Sequence, residues 1–152
     1  MMTITLNRRQ VLATSIGAVA AASLIGSSIP ATANDSADLV KAFTGGKTPA
    51  AGKVTIDMPE IAENGNTVPM TIMVDSPMTE QSYVTDVLVV ADGNPRGGVV
   101  TFHFTPMSGA AEANTRIRLA KSQKITAVAK MNDGSFYTAS KDVKVTIGGC
   151  GG

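Results

Sequence analysis

Val68-Pro69-Met70-Thr71-Ile72-Met73-Val74-Asp75 puts Val68, Met70, Ile72 and Val74 on one side of an extended chain and Pro69, Thr71, Met73 and Asp75 on the other. Successive side chains of a strand point to opposite faces, so this stretch reads as a strand with one apolar face. The same period of two recurs on either side. Val54 and Ile56 oppose Thr55 and Asp57, and Val100, Phe102 and Phe104 alternate with Thr101 and His103. Ile117 and Leu119 alternate with Arg116 and Arg118, and Ile125, Ala127, Ala129 and Met131 with Lys124, Thr126 and Lys130. Phe136 and Thr138 form a short run, and Val143, Val145 and Ile147 alternate with Asp142, Lys144 and Thr146. Tyr83 to Val90 is a nearly continuous β-branched run. Turn signals separate these segments at Asn64-Gly65, Ser76-Pro77, Asp92-Gly93-Asn94-Pro95, Gly109 and Asp133-Gly134. About seven or eight short strands spaced this way predict an all-β fold, two antiparallel sheets packed face to face. No strand–helix–strand alternation calls for a parallel sheet.

Only one helix is expected. Asp35-Ser36-Ala37-Asp38 supplies capping residues and early acids, Leu39, Val40 and Phe43 follow at helical spacing, and Gly45-Gly46 ends the run. The helix covers about residues 36–44, and Lys47 to Gly52 reads as a linker.

The N-terminus is of a different kind. Arg8-Arg9 precedes an apolar stretch from Val11 to about Ile25, and Ala31-Thr32-Ala33 supplies a small-x-small triplet. That order is the order of an export signal, and the stretch is short for a membrane span, which needs about 20 apolar residues. The arginine pair resembles the twin-arginine type, with Asn7 before it and Val11 where Phe is commonest. The expected organisation is a signal peptide over 1–33 cleaved after Ala33, the helix and linker over 34–52, the sandwich over 53–147 and a tail over 148–152. The 13 basic and 12 acidic residues of the whole chain become 11 and 12 beyond Ala33, because Arg8 and Arg9 are the only charges before it. The exported domain is therefore nearly neutral. It has no basic patch for nucleic acid, and an aromatic content of 4% without Trp offers no stacking platform.

One His and one Cys rule out a Cys/His zinc site within the chain. His103 has no Gly-x-Ser-x-Gly partner and reads as a surface or interface residue on the strand face opposite Phe102 and Phe104. Met58, Met70, Met73, Met78, Met107 and Met131 show no Met-x-x-Met clustering and read as packing residues rather than copper ligands. Asp92 to Gly98 lies between two strands and lacks the Lys-Ser/Thr of a phosphate loop, so it reads as a hairpin turn.

The chemistry concentrates at Gly148-Gly149-Cys150-Gly151-Gly152. Glycine imposes little local order, so these five residues are expected to form a thin, flexible tail with Cys150 roughly 10 Å beyond Ile147. A lone Cys in an exported protein is an intermolecular disulfide partner or a working thiol. No helix N-terminus, metal, Cys-x-x-Cys partner or adjacent cation is present to lower its pKa. Such a nucleophile without machinery suits a carrier presented to other enzymes. A disulfide-linked structural sandwich and a one-cysteine redox protein are the rival readings.

The tail, with Val143-Lys144-Val145-Thr146-Ile147 before it, resembles the SoxY sulfur carriers of bacterial thiosulfate oxidation. The likeness extends through Ala42-Phe43-Thr44-Gly45-Gly46-Lys47, Pro59-Glu60-Ile61-Ala62-Glu63-Asn64-Gly65, Arg116-Ile117-Arg118-Leu119-Ala120-Lys121-Ser122-Gln123 and Asp133-Gly134-Ser135. The resemblance implies an immunoglobulin-like sandwich paired with a second sandwich subunit, SoxZ, which lacks an export signal and would be carried to the periplasm bound to this one. It implies covalent attachment of sulfur to Cys150, conjugation of thiosulfate by a SoxXA-type haem cytochrome, and release of sulfate by a manganese-dependent SoxB-type hydrolase. A sulfane dehydrogenase would oxidise the remaining sulfur. The carrier itself would hold no cofactor and catalyse no step alone.

Overall fold

The computed structural model describes residues 35–149, all within one compact unit, Thr32–Gly152. The export-signal expectations at Arg8, Arg9 and Ala33 lie outside the described residues, as do Cys150, Gly151 and Gly152.

Helix α1 spans Ser36–Thr44 and ends at Gly45 in the left-handed conformation, φ 62°, where the amides of Gly45 and Gly46 return to the carbonyls of Ala42 and Lys41. The strands are β1 (Ala50–Ala51), β2 (Val54–Asp57), β3 (Ile61–Asn64), β4 (Val68–Val74), β5 (Val84–Ala91), β6 (Gly98–His103), β7 (Ala111–Ile117), β8 (Gln123–Met131) and β9 (Phe136–Ile147). A 3-10 turn, Pro106–Ser108, links β6 to β7. One sheet runs β1-β9-β8-β5-β6, with β3 also on β9, and the other runs β2-β4-β7.

Two sheets facing each other is the expected sandwich. The apolar side of β4, Val68, Met70, Ile72 and Val74, packs with Val54 and Ile56 of β2 and Ala111 and Ile117 of β7. Facing them are Val87 and Val89 of β5, Ile125, Ala127 and Ala129 of β8 and Val143 of β9. At about 25 cal/mol per Å² of apolar surface removed from water, this layer supplies the main drive for folding. The unbroken apolar run in β5 has a physical cause. Leu88 and Val90 are buried on the face away from the core, and α1 packs against β5. From Val87 to Ala91 both faces of that strand are covered, so neither needs polar residues there.

The structure differs from the sequence reading at the free edge of β9. The main ladders are antiparallel, but β1 and β3 pair with β9 in parallel, Ala50 opposite Tyr137 and Ala62 opposite Val145. Part of the linker over 47–52 is thus a strand. The runs at 136–138 and 143–147 are one twelve-residue strand. Of the six methionines beyond Ala33, Met58, Met70, Met78 and Met131 are core residues, Met73 is partly exposed, and Met107 is 96% exposed on the 3-10 turn.

The turns carry local polar contacts. Asp133 accepts from the hydroxyl and amide of Ser135 at 2.6 and 2.8 Å in the β8–β9 hairpin, and these bonds hold its carboxyl below the usual carboxylate range. Asp92 to Gly98 is the hairpin turn between β5 and β6, closed by the Ala91 amide on the Gly97 carbonyl at 2.8 Å.

Candidate functional site

Strand β9 delivers the tail, and its last turn of backbone is held from two sides. On one side, β3 runs parallel to β9 with Asn64 opposite Ile147. The Gly65 amide, just past β3, donates to the Ile147 carbonyl at 2.7 Å. On the other side lies the loop between β7 and β8. The Leu119 amide donates to the Gly65 carbonyl at 2.8 Å, and the Gly149 amide donates to the Leu119 carbonyl at 2.9 Å. Three backbone bonds in series, Ile147–Gly65–Leu119–Gly149, therefore close a ring around Gly148.

This corrects the expectation that the tail is free from Gly148 onward. Order continues for two residues past β9, and Gly149 is buried. The glycines there serve close approach rather than slack. A Cβ on Gly148 would lie 2.2 Å from the Ala120 carbonyl oxygen, and one on Gly149 2.7 Å from that of Gly65. A Cβ on Gly65 would meet the Leu119 oxygen at 2.2 Å and the Gly149 nitrogen at 2.7 Å. The left-handed glycines of the fold are elsewhere, at 45, 46, 52, 109 and 134. At 65, 148 and 149 glycine answers a demand for space, which no side chain meets.

The Leu119 loop is itself fastened. The Leu119 side chain is wholly buried in the core. Asn94, 6% exposed in the β5–β6 turn, donates from Nδ2 to the Arg118 carbonyl at 2.9 Å. Its Oδ1 accepts from the Ala120 amide at 3.0 Å and from Gln123 Nε2 at 2.8 Å. Gln123 also donates to the Lys121 carbonyl and accepts from the Gly93 amide. The Val145 amide, past the end of the β8–β9 ladder, donates to Ser122 Oγ at 2.9 Å. A buried polar network with every group partnered is rigid, so the carbonyls that receive the tail stand at fixed positions.

His103 is not brought to this place. It sits on β6, with β5 and β8 between it and β9, in register with Phe136 at the end of β9 farthest from Ile147. Its Nδ1 lies 2.6 Å from Asp86 Oδ1 across the β5–β6 ladder, and the side chain is exposed, which fits a surface residue. Among the described residues, no three His, Cys, Asp or Glu side chains gather as metal ligands, and no helix is long and apolar enough to cross a membrane. The site as described offers a rigid backbone mount for the residue that follows Gly149 in sequence, Cys150.

Gly65, Asn94, Leu119 and Gln123 were not picked out as site residues by sequence reasoning. For all of them but Asn94 the trace lay in the resemblance. Two of its stretches, Pro59 to Gly65 and Arg116 to Gln123, are the two that grip the tail.

The described residues define a β-sandwich whose last strand is held by backbone bonds as far as Gly149. Comparison with known proteins narrows the class. The sequence profile described as "Sulfur oxidation protein SoxY" matches residues 40–150, and the chain belongs to this family. No curated protein sequence matches the chain significantly. Among solved structures it is similar to the sulfur carrier protein SoxY from Chlorobium limicola f thiosulfatophilum, at 31% identity and a TM-score of 0.60, covering 73% of this chain and 96% of that one. It is also similar to a superoxide reductase (neelaredoxin) from Ignicoccus hospitalis, at 18% identity and a TM-score of 0.55, covering 62% and 80%. A superoxide reductase from Nanoarchaeum equitans gives 12% and 0.54, covering 63% and 100%. At such identities the last two share the fold alone.

Proposed function

We propose that this protein is a periplasmic sulfur carrier that binds thiosulfate-derived sulfur covalently on Cys150 and presents it to the enzymes of sulfur oxidation. The observation that carries the proposal is the family match reaching Cys150, with a rigid mount ending at the residue before it. Conjugation joins the Cys150 sulfur to the sulfane sulfur of thiosulfate. The thiol proton leaves, two electrons pass to a haem cytochrome of the SoxXA type, and a cysteine S-thiosulfonate remains. Water then cleaves the bond to the sulfonate sulfur in a SoxB-type hydrolase, giving sulfate and a Cys150 persulfide. A sulfane dehydrogenase oxidises that sulfur further. The carrier supplies the thiol and its placement and is not itself an enzyme.

Export by the twin-arginine route through Arg8 and Arg9, with cleavage after Ala33, places the protein in the periplasm. That route moves folded proteins, so a SoxZ-like sandwich subunit without a signal of its own leaves as a heterodimer with this chain.

Thiosulfate-dependent reduction of the haem cytochrome should require the reduced carrier and stop at two electrons per thiol when no hydrolase is present. Cytochrome reduction that proceeds equally well with the thiol blocked by iodoacetamide would refute the carrier reading.

A further inference from the structure

We infer that Gly65, Gly148 and Gly149, together with the Leu119 peptide, form a clasp that fixes where the carrier arm begins, one residue before the thiol. The inference rests on the carrier reading and deepens it: these are positioning residues for loading Cys150.

The geometry gives the size of the effect. If order ended at Ile147, three peptide units would separate it from the thiol-bearing Cα, which would sweep a radius of roughly 10 Å. With the Gly149 amide on the Leu119 carbonyl at 2.9 Å, the free tether is one peptide, and the Cα of Cys150 stays about 3.8 Å from that of Gly149. The volume searched falls by the cube of that ratio, so the effective concentration of thiol at a docked active site rises by about twentyfold. Nothing in the clasp alters the chemistry of sulfur. It is made of backbone atoms, and its glycines admit no Cβ without a clash on backbone oxygen. The Asn94–Gln123 network and the buried Leu119 side chain keep its receiving carbonyl in place.

The test compares the full-length wild-type protein with Gly65→Ala and Gly148→Ala. The second substitution lies past the last strand and should leave the thermal midpoint within about 2 °C, so it serves if the first disturbs folding. Three quantities are read: hydrogen exchange of the Gly149 amide, the rate of alkylation by iodoacetamide, and kcat/KM for thiosulfate conjugation by the haem cytochrome. The clasp predicts a protected Gly149 amide in wild type that exchanges at the unstructured rate in the variants. It predicts alkylation within about twofold of wild type and conjugation lowered about twentyfold. An unprotected Gly149 amide in the wild-type protein would overturn the clasp. Conjugation unchanged in a variant whose Gly149 amide exchanges freely would overturn the positioning role. Failure of wild type to take up any sulfur would sink the carrier reading and the positioning role with it, while a protected Gly149 amide would still stand as a structural fact.

Discussion

Replacing Cys150 by serine is expected to abolish sulfur loading, to below about one thousandth of wild type, while shifting the unfolding midpoint by less than about 2 °C. The two halves have separate causes. A serine oxygen forms no stable bond to sulfane sulfur, and the chain holds no second cysteine to take over. The sandwich core and the clasp are built from residues up to Gly149, and serine keeps the size and backbone of cysteine. Thermal unfolding of the variant and cytochrome-coupled conjugation measure both halves. A loss of several kcal/mol in stability would mean that Cys150 has a structural duty, as the rival disulfide-linked sandwich would require.

The second large effect is expected far from the thiol. Asn94→Ala should destabilise the domain by about 3 kcal/mol, which lowers the midpoint by roughly 10 °C in a domain of this size. Asn94 joins the Arg118 carbonyl, the Ala120 amide and Gln123 Nε2, at 2.9, 3.0 and 2.8 Å. Alanine leaves these groups in a confined space without that partner, and each unpaired buried group costs about 1–3 kcal/mol, less where water enters. Urea titration with an unchanged slope would show that stability alone has moved. The same variant should increase exchange at the Gly149 amide, because the carbonyl that receives it belongs to the loosened loop. A destabilisation below about 1 kcal/mol would show that the network is solvated rather than load-sharing.

The contrast between these two residues marks what the sequence could disclose. Cys150 stood out by chemistry, as the one thiol of the sequence. Strands β4 and β8 were legible because each presents a whole face to the core, so burial writes a period of two into the residues; β5 showed as an apolar run, and of β7 only its end at Arg116-Ile117 was read. Helix α1 was legible by its acids, its spacing and its two glycines. Strand β3 has four residues, of which only Ala62 is buried, so Ile61-Ala62-Glu63-Asn64 carries almost no alternation. Its pairing with β9 is non-local and parallel, which no local pattern records. The middle of β9, Ser140-Lys141-Asp142, reads as a break although the β8 ladder runs through it, Thr126 opposite Ser140 and Lys124 opposite Asp142. The clasp was least visible of all. Backbone amides and carbonyls are the same at every position, and a glycine selected for close approach looks like a glycine selected for slack. Asn94 sat in an Asp-Gly-Asn-Pro string whose turn chemistry explained it too easily, and its burial depends on the β7–β8 loop some 24 residues later.

The most direct measurement of the central claim is the mass of the C-terminal proteolytic peptide from protein isolated without reductant from cells growing on thiosulfate. The account predicts a ladder of adducts on Cys150 (persulfide and S-thiosulfonate), absent from cells grown without reduced sulfur and removed by thiol reductant. A Cys150 peptide found only as the bare thiol under thiosulfate, or joined stoichiometrically by a disulfide to a single protein, would contradict it.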